Sequence, residues 1–187
     1  TGFIEKKKII DGSKVQDGDI AIGVHSNGLH TNGYSLARKL IFDSMNLSVD
    51  DFLPGYDVTV GSCLLAPHTN YSTLIEDFVQ NGVDIKSLAH ITGGGLIENV
   101  PRVLPSNLSL DININSWEKI PVFEFLKNSL DIKKDDLYQT FNMGIGLVII
   151  ISPEEKNNVV RLLGKNNYTE IGTVFKDKSN SVFLNEK

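Results

Sequence analysis

Cysteine is nearly absent from this 187-residue chain: Cys63 stands alone, so no internal disulfide can form and a reducing compartment, the cytoplasm, is the expected setting. It lies in the apolar stretch Cys63-Leu64-Leu65-Ala66 and reads as packing rather than as a nucleophile. Positive charge is also scarce, with 18 Lys and Arg against 23 Asp and Glu, a net −5. That excludes the broad basic field on which a nucleic-acid backbone is held, and points to small-molecule or protein partners. No apolar run is long enough to span a bilayer, no secretory leader pattern occurs, and no membrane partner is expected. Cys-x-x-Cys and His-Glu-x-x-His are both missing, and His25 and His68 lack metal-like partner spacing, so no residue is expected as a metal ligand. Internal repeats and low-complexity tracts are missing too. What remains is 41% hydrophobic and 22% charged, the composition of one folded domain with a real core.

Residues 1–17 lack an initiator Met, open on the basic run Glu5-Lys6-Lys7-Lys8, and read as the interior of a longer polypeptide. Ile20 to Val24 is a short apolar run between turns and predicts a buried strand, followed by a helix over Tyr34 to Asp43 capped by Asn32 or Gly33. The spacing predicts further helices at Val60 to Leu65, Ser72 to Gln80, Leu96 to Leu104 with Pro101 perturbing its end, Val122 to Leu130 after Pro121, and Asp135 to Phe141. Strands are expected at Ser87 to Ile91, at the alternating Leu108, Leu110, Ile112 and Ile114, and at Leu147 to Ile151, the most apolar run. Ser152-Pro153-Glu154-Glu155 reads as a strong helix start, and Tyr168 to Phe175 with Ser181 to Leu184 as a terminal hairpin. The sum is an α/β (α+β) fold, a mixed sheet with helices packed on it.

Three loops carry more Gly, Asn and His than connection requires. In Ser26-Asn27-Gly28-Leu29-His30-Thr31-Asn32-Gly33, a strand end meets a helix start, a setting that favours a phosphate or carboxylate. His30, with an ordinary pKa near 6.5, suits proton donation there, whereas capping and turn formation would account for the same residues. In His90-Ile91-Thr92-Gly93-Gly94-Gly95-Leu96-Ile97-Glu98-Asn99, three glycines expose backbone amides before a helix, without the Lys of a P-loop or dinucleotide glycine spacing. Glu98 and Asn99 are placed to orient a substrate or a metal, or simply to serve the helix dipole. The third loop, Phe141-Asn142-Met143-Gly144-Ile145-Gly146, offers Asn142 as donor and acceptor and Gly144 as a point of close approach, or a packed strand edge.

The strings Asn27 to Leu36, His90 to Arg102 and Phe141 to Gly146, in this order, closely resemble successive motifs of aminoimidazole ribonucleotide synthetase, the phosphoribosylformylglycinamidine cyclo-ligase family, and Ile9-Ile10-Asp11-Gly12-Ser13 resembles the family's interdomain junction. The resemblance implies that residues 1–17 are that junction and 18–187 the C-terminal α/β domain of a cytoplasmic homodimer, the N-terminal ATP-binding half being missing. It implies ATP with Mg as cofactors, formylglycinamidine ribonucleotide as substrate, and ring closure to aminoimidazole ribonucleotide in purine synthesis, with this fragment inactive alone. On that basis His30 is expected as the catalytic proton donor or oxygen stabiliser beside the reacting amide, and Asn32 as a polar orienter. Ser26, Asn27, Gly28, Gly33, Gly93, Gly94, Gly95, Glu98, Asn99, Asn142 and Gly144 are expected around substrate or phosphate. Ala66-Pro67-His68-Thr69-Asn70-Tyr71 departs from the family's common Thr-Pro-Thr-Arg. Competing readings are another member of the superfamily, such as formylglycinamidine ribonucleotide synthetase or selenophosphate synthetase, and a noncatalytic binding or assembly module.

Overall fold

A computed structural model describes residues 3–164 and 167–186. Its centre is a six-stranded mixed sheet: β1 (Ile20–His25), β2 (Ser87–His90), β3 (Leu108–Asn113), β4 (Ile145–Ile151), β5 (Tyr168–Lys176) and β6 (Val182–Asn185), in the order β2-β4-β1-β5-β3-β6. The most apolar segment, β4, is buried at every residue because it lies between β2 and β1 with helices on both faces. From Leu147 onward, past a register shift that sets Ile145 with Val148 and Ile150, period-two alternation sorts the core. Ile145, Val148 and Ile150 face one layer, built from α1 (Tyr34–Arg38), α4 (Gly95–Asn99), α5 (Pro121–Ser129) and α6 (Lys134–Thr140). Leu147, Ile149 and Ile151 face the other, built from α3 (Ser72–Gln80) and α7 (Lys156–Leu163). A short helix, α2 (Val60–Leu64), completes the first layer.

Local signals place most elements within a residue or two. Pro121 opens α5 at the position where its missing N–H costs nothing, and Thr59 caps α2 by accepting from the Ser62 amide. Three expectations need correction. The helix beginning at Tyr34 is α-helical for only five residues and continues as a π-helical segment, Lys39–Ser44. Its N-cap is Gly33, at φ +72°, while the Asn32 side chain donates instead to the His30 carbonyl. Ser152 gives α7 no side-chain cap, and Pro153–Glu155 form a 3-10 turn before it.

The terminal hairpin is the third correction. β5 and β6 do not pair with each other: β3 lies between them, antiparallel to β5 and parallel to β6. The connection crosses the start of β3, held by Ser109 Oγ donating to Asp177 and accepting from the Ser181 amide, and by Asn180 Nδ2 donating to the Pro105 and Leu108 carbonyls. These bonds carry the chain over β3 to its far edge.

Antiparallel pairing brings three loops to one edge of the sheet. β1 ends at His25 opposite Ile145, where β4 starts, and β2 ends at His90 opposite Leu147. The segments after β1, after β2 and before β4 therefore emerge side by side, although they are far apart in the chain.

Candidate functional site

Asn142 is the brace of this edge. Fully buried, it accepts from Ser26 Oγ (2.8 Å) and the Gly144 amide (2.9 Å), and its Nδ2 donates to the Gly28 carbonyl (2.9 Å). The Ser26 amide donates to the Gly144 carbonyl, so the first and third loops are laced together. Trp117 Nε1 donates to the carbonyl of Met143, which lies at φ +49°, and the indole packs over Gly144 at φ +100°. Asn142 and Gly144 thus hold the loops in place through contacts within the protein.

The triple glycine divides in the same way. Gly95, at φ +57°, is pressed against the Tyr138 carbonyl, leaving no room for a Cβ. Gly94, at φ +97°, is the N-cap of α4 and lies against Glu98, which is paired with Arg102 (3.2 Å) and bonded to Gln139. Asn99, buried, donates to the carbonyls of Thr92, Gly93 and Gly95 and accepts from Thr92 Oγ1, fastening the turn from inside. Gly93 differs: it is exposed, and a Cβ there would meet only Asn32 Oδ1, at 3.9 Å. The amides of Gly93 and Gly94 make no hydrogen bond to the described protein, which leaves two donors for an anion beside Asn32. Gly28 and Gly33 are closed off, the first by Ala66 and the second by the Phe141 ring.

His30 lies at the floor of the edge, 1% exposed, with φ +50° followed by Thr31 at +69°, a conformation that non-glycine residues seldom adopt. Its Nε2 is 2.7 Å from Asn27 Oδ1, whose own Nδ2 is spent on the Pro67 carbonyl, and it also accepts longer contacts from the Asn27 and Thr69 amides, at 3.4 and 3.3 Å. Nδ1 is buried and without a partner. Burial, then the neighbouring His68 and His90, push the His30 pKa down to about 4. At pH 7 the ring is therefore neutral, and it titrates below the range near 6.5 that the sequence alone suggests.

A fourth segment, 66–71, completes the site, and the spacing of its residues does not foretell it. The His68 ring stacks on His30 with centroids 4.1 Å apart, and its Nε2 is 3.2 Å from His90 Nε2. Thr69 Oγ1 donates to Asn27 Oδ1, and Tyr71 donates to the His25 carbonyl through the space left by Gly146. Burial pushes the Tyr71 hydroxyl up to about 12 and keeps it protonated. His68 and His90 are 22 residues apart in sequence, and only the shared sheet edge joins them.

The family described as AIR synthase related protein, C-terminal domain, matches residues 16–185. The chain belongs to it. Among its relatives, the phosphoribosylformylglycinamidine cyclo-ligase of Geotalea uraniireducens is 44% identical over 186 residues, covering 96% of this chain and 52% of the relative, and that of Alkaliphilus oremlandii is 40% identical over 164 residues, covering 88% and 48%. The chain spans about half the length of these curated relatives. In fold it resembles hydrogenase maturation protein HypE in complex with ATP, with a TM-score of 0.65 at 17% identity over 97% of this chain and 51% of that one. It also resembles the T. maritima PurL complexed with FGAR, with a TM-score of 0.52 at 13% identity over 94% and 28%. These likenesses bear on the fold alone, a mixed-sheet α+β unit. No described helix is long and apolar enough to cross a membrane.

Proposed function

We propose that this domain is the C-terminal half of an ATP-dependent cyclo-ligase that converts formylglycinamidine ribonucleotide to aminoimidazole ribonucleotide, with residues 1–17 as the junction to the other half. A cytoplasmic homodimer is the assembly this reading implies. The observation that carries it is 44% identity to a cyclo-ligase along 96% of the chain, with the loops that bear the family motifs converging on one sheet edge. In this reaction phosphoryl transfer from ATP activates the formyl amide oxygen, and an amidine nitrogen then closes the ring with loss of phosphate.

The chain's own residues suit the substrate side of that chemistry. Neutral His30 has an unpartnered Nδ1: in the tautomer that leaves this atom bare it accepts an amidine N–H once a closed complex brings the substrate to it, and in the other it donates to the reacting amide oxygen. Asn32, with Nδ2 spent on the His30 carbonyl, offers Oδ1 as a second acceptor next to Gly93. The amides of Gly93 and Gly94 suit a phosphate oxygen, of substrate or of nucleotide. Asn142, Asn99 and Ser26 hold these groups in register. For Mg the donor set does not fit: among the described residues no group of three or more His, Cys, Asp or Glu could hold a metal ion, so no step here is routed through it.

The test is ring formation with ATP and substrate. The 187-residue chain is expected to give no product, and a polypeptide extended to the relatives' length is expected to release one ADP per ring closed. In that longer enzyme His30→Ala should cut kcat far more than it raises the KM for ATP. An extended enzyme that makes no aminoimidazole product would overturn the proposal.

A further inference from the structure

Two exposed imidazoles converge on this domain from separate elements. His90 is the last residue of β2, fixed by pairing with Leu147, and His68 is held by stacking on the buried His30, its loop tied down through the Pro67 carbonyl and Thr69. Their Nε2 atoms are 3.2 Å apart, and both exposed residues line a groove of about 420 Å³. The rest of that groove is lined by Thr69, Asn70, Tyr71, Ser72, Ile75 and Leu147, without a carboxylate. We propose that His68 and His90 form a two-histidine site for a borderline divalent transition metal of the Zn²⁺ class, with water completing the coordination.

The spacing carries the argument. Imidazole nitrogens bind Zn²⁺ at about 2.0–2.1 Å, so two of them 3.2 Å apart subtend about 100° at a shared ion, near the tetrahedral angle. The two side chains already hold this separation, so little ordering cost remains. In the metal-free chain one Nε2 donates its proton to the other. On binding, that ring's proton moves through solvent to its own Nδ1, freeing both Nε2 lone pairs without net proton release. A carboxylate-free pair of nitrogens selects Zn²⁺, Cu²⁺ or Ni²⁺ and rejects Mg²⁺. The site is open and two-ligand, unlike a closed structural site, and does not depend on the cyclo-ligase reading.

The experiment is a calorimetric titration of the chelator-stripped chain with ZnCl₂ at pH 7.5. One ion per chain is expected, with affinity at least tenfold lower in both His68→Gln and His90→Gln and no competition from millimolar Mg²⁺. Because His68→Gln also disturbs the stack on His30, the wild-type chain labelled at histidine is examined with substoichiometric Ni²⁺. The His68 and His90 ring signals should broaden selectively, ahead of His25. Absence of a stoichiometric site, wild-type Zn²⁺ affinity in either variant, displacement by Mg²⁺, or broadening centred on His25 or Cys63 would each overturn the proposal.

Discussion

Asn142→Ala removes one small side chain and strands three groups: the Gly144 amide, the Gly28 carbonyl and the Ser26 hydroxyl. The hydroxyl can turn, but the two backbone groups are fixed by the loops they belong to. An unsatisfied buried polar group costs about 1–3 kcal/mol, so the pair puts the loss at about 2–6 kcal/mol, a large share of a domain's net stability. For a chain of this size each kcal/mol lowers Tm by about 2–4 °C, so calorimetry should show a fall on the order of 5–20 °C. Ser26→Ala alone should cost about 1 kcal/mol, and the double variant little more than Asn142→Ala, since both remove the same bond. Equilibrium denaturation of the four proteins measures the cycle. A loss under about 1 kcal/mol in Asn142→Ala, or simple additivity with Ser26→Ala, would refute the view that Asn142 laces the first and third loops.

The burial of neutral His30 predicts a pH dependence. Its folded pKa, about 4, lies below the ordinary 6.5, so as pH falls the unfolded chain takes the proton first, and this contribution is complete above 6.5 and lost between 6.5 and 4. The gap bounds the loss at about 3 kcal/mol, and denaturation midpoints across that range should fall more steeply in the wild type than in His30→Gln. The triple glycine should split by position: Gly95→Ala, driven into the Tyr138 carbonyl at a positive φ, should lose about 3 kcal/mol or more, whereas Gly93→Ala should stay within about 0.5 kcal/mol. In an enzyme of the relatives' length Gly93→Ala should instead weaken binding of the phosphate-bearing substrate; Gly94 is no place for that test, because its φ of +97° strains any side chain.

What the sequence determined by itself was local. Helical periodicity and terminal signals define Ser72–Gln80 and Pro121–Ser129, and an unbroken apolar run marks β4, because these depend on neighbours within a few residues. The loop motifs were legible too, as strings, and with them the family. The roles within those strings were not. That Gly93 is open while Gly95 is filled, and that Asn142 and Asn99 face inward, follows from Tyr138, Gly28 and Gly144 meeting them across the fold. The placement of β6 beside β3 rests on Ser109 and Asn180, about 70 residues apart, and no local turn signal distinguishes that crossing from a hairpin. His30 shows the division most sharply. Its place between a strand and a helix can be read from the chain, but its protonation state depends on burial and on His68 and His90, which antiparallel pairing of β2 with β4 and the tie between Asn27 and segment 66–71 bring to the same edge.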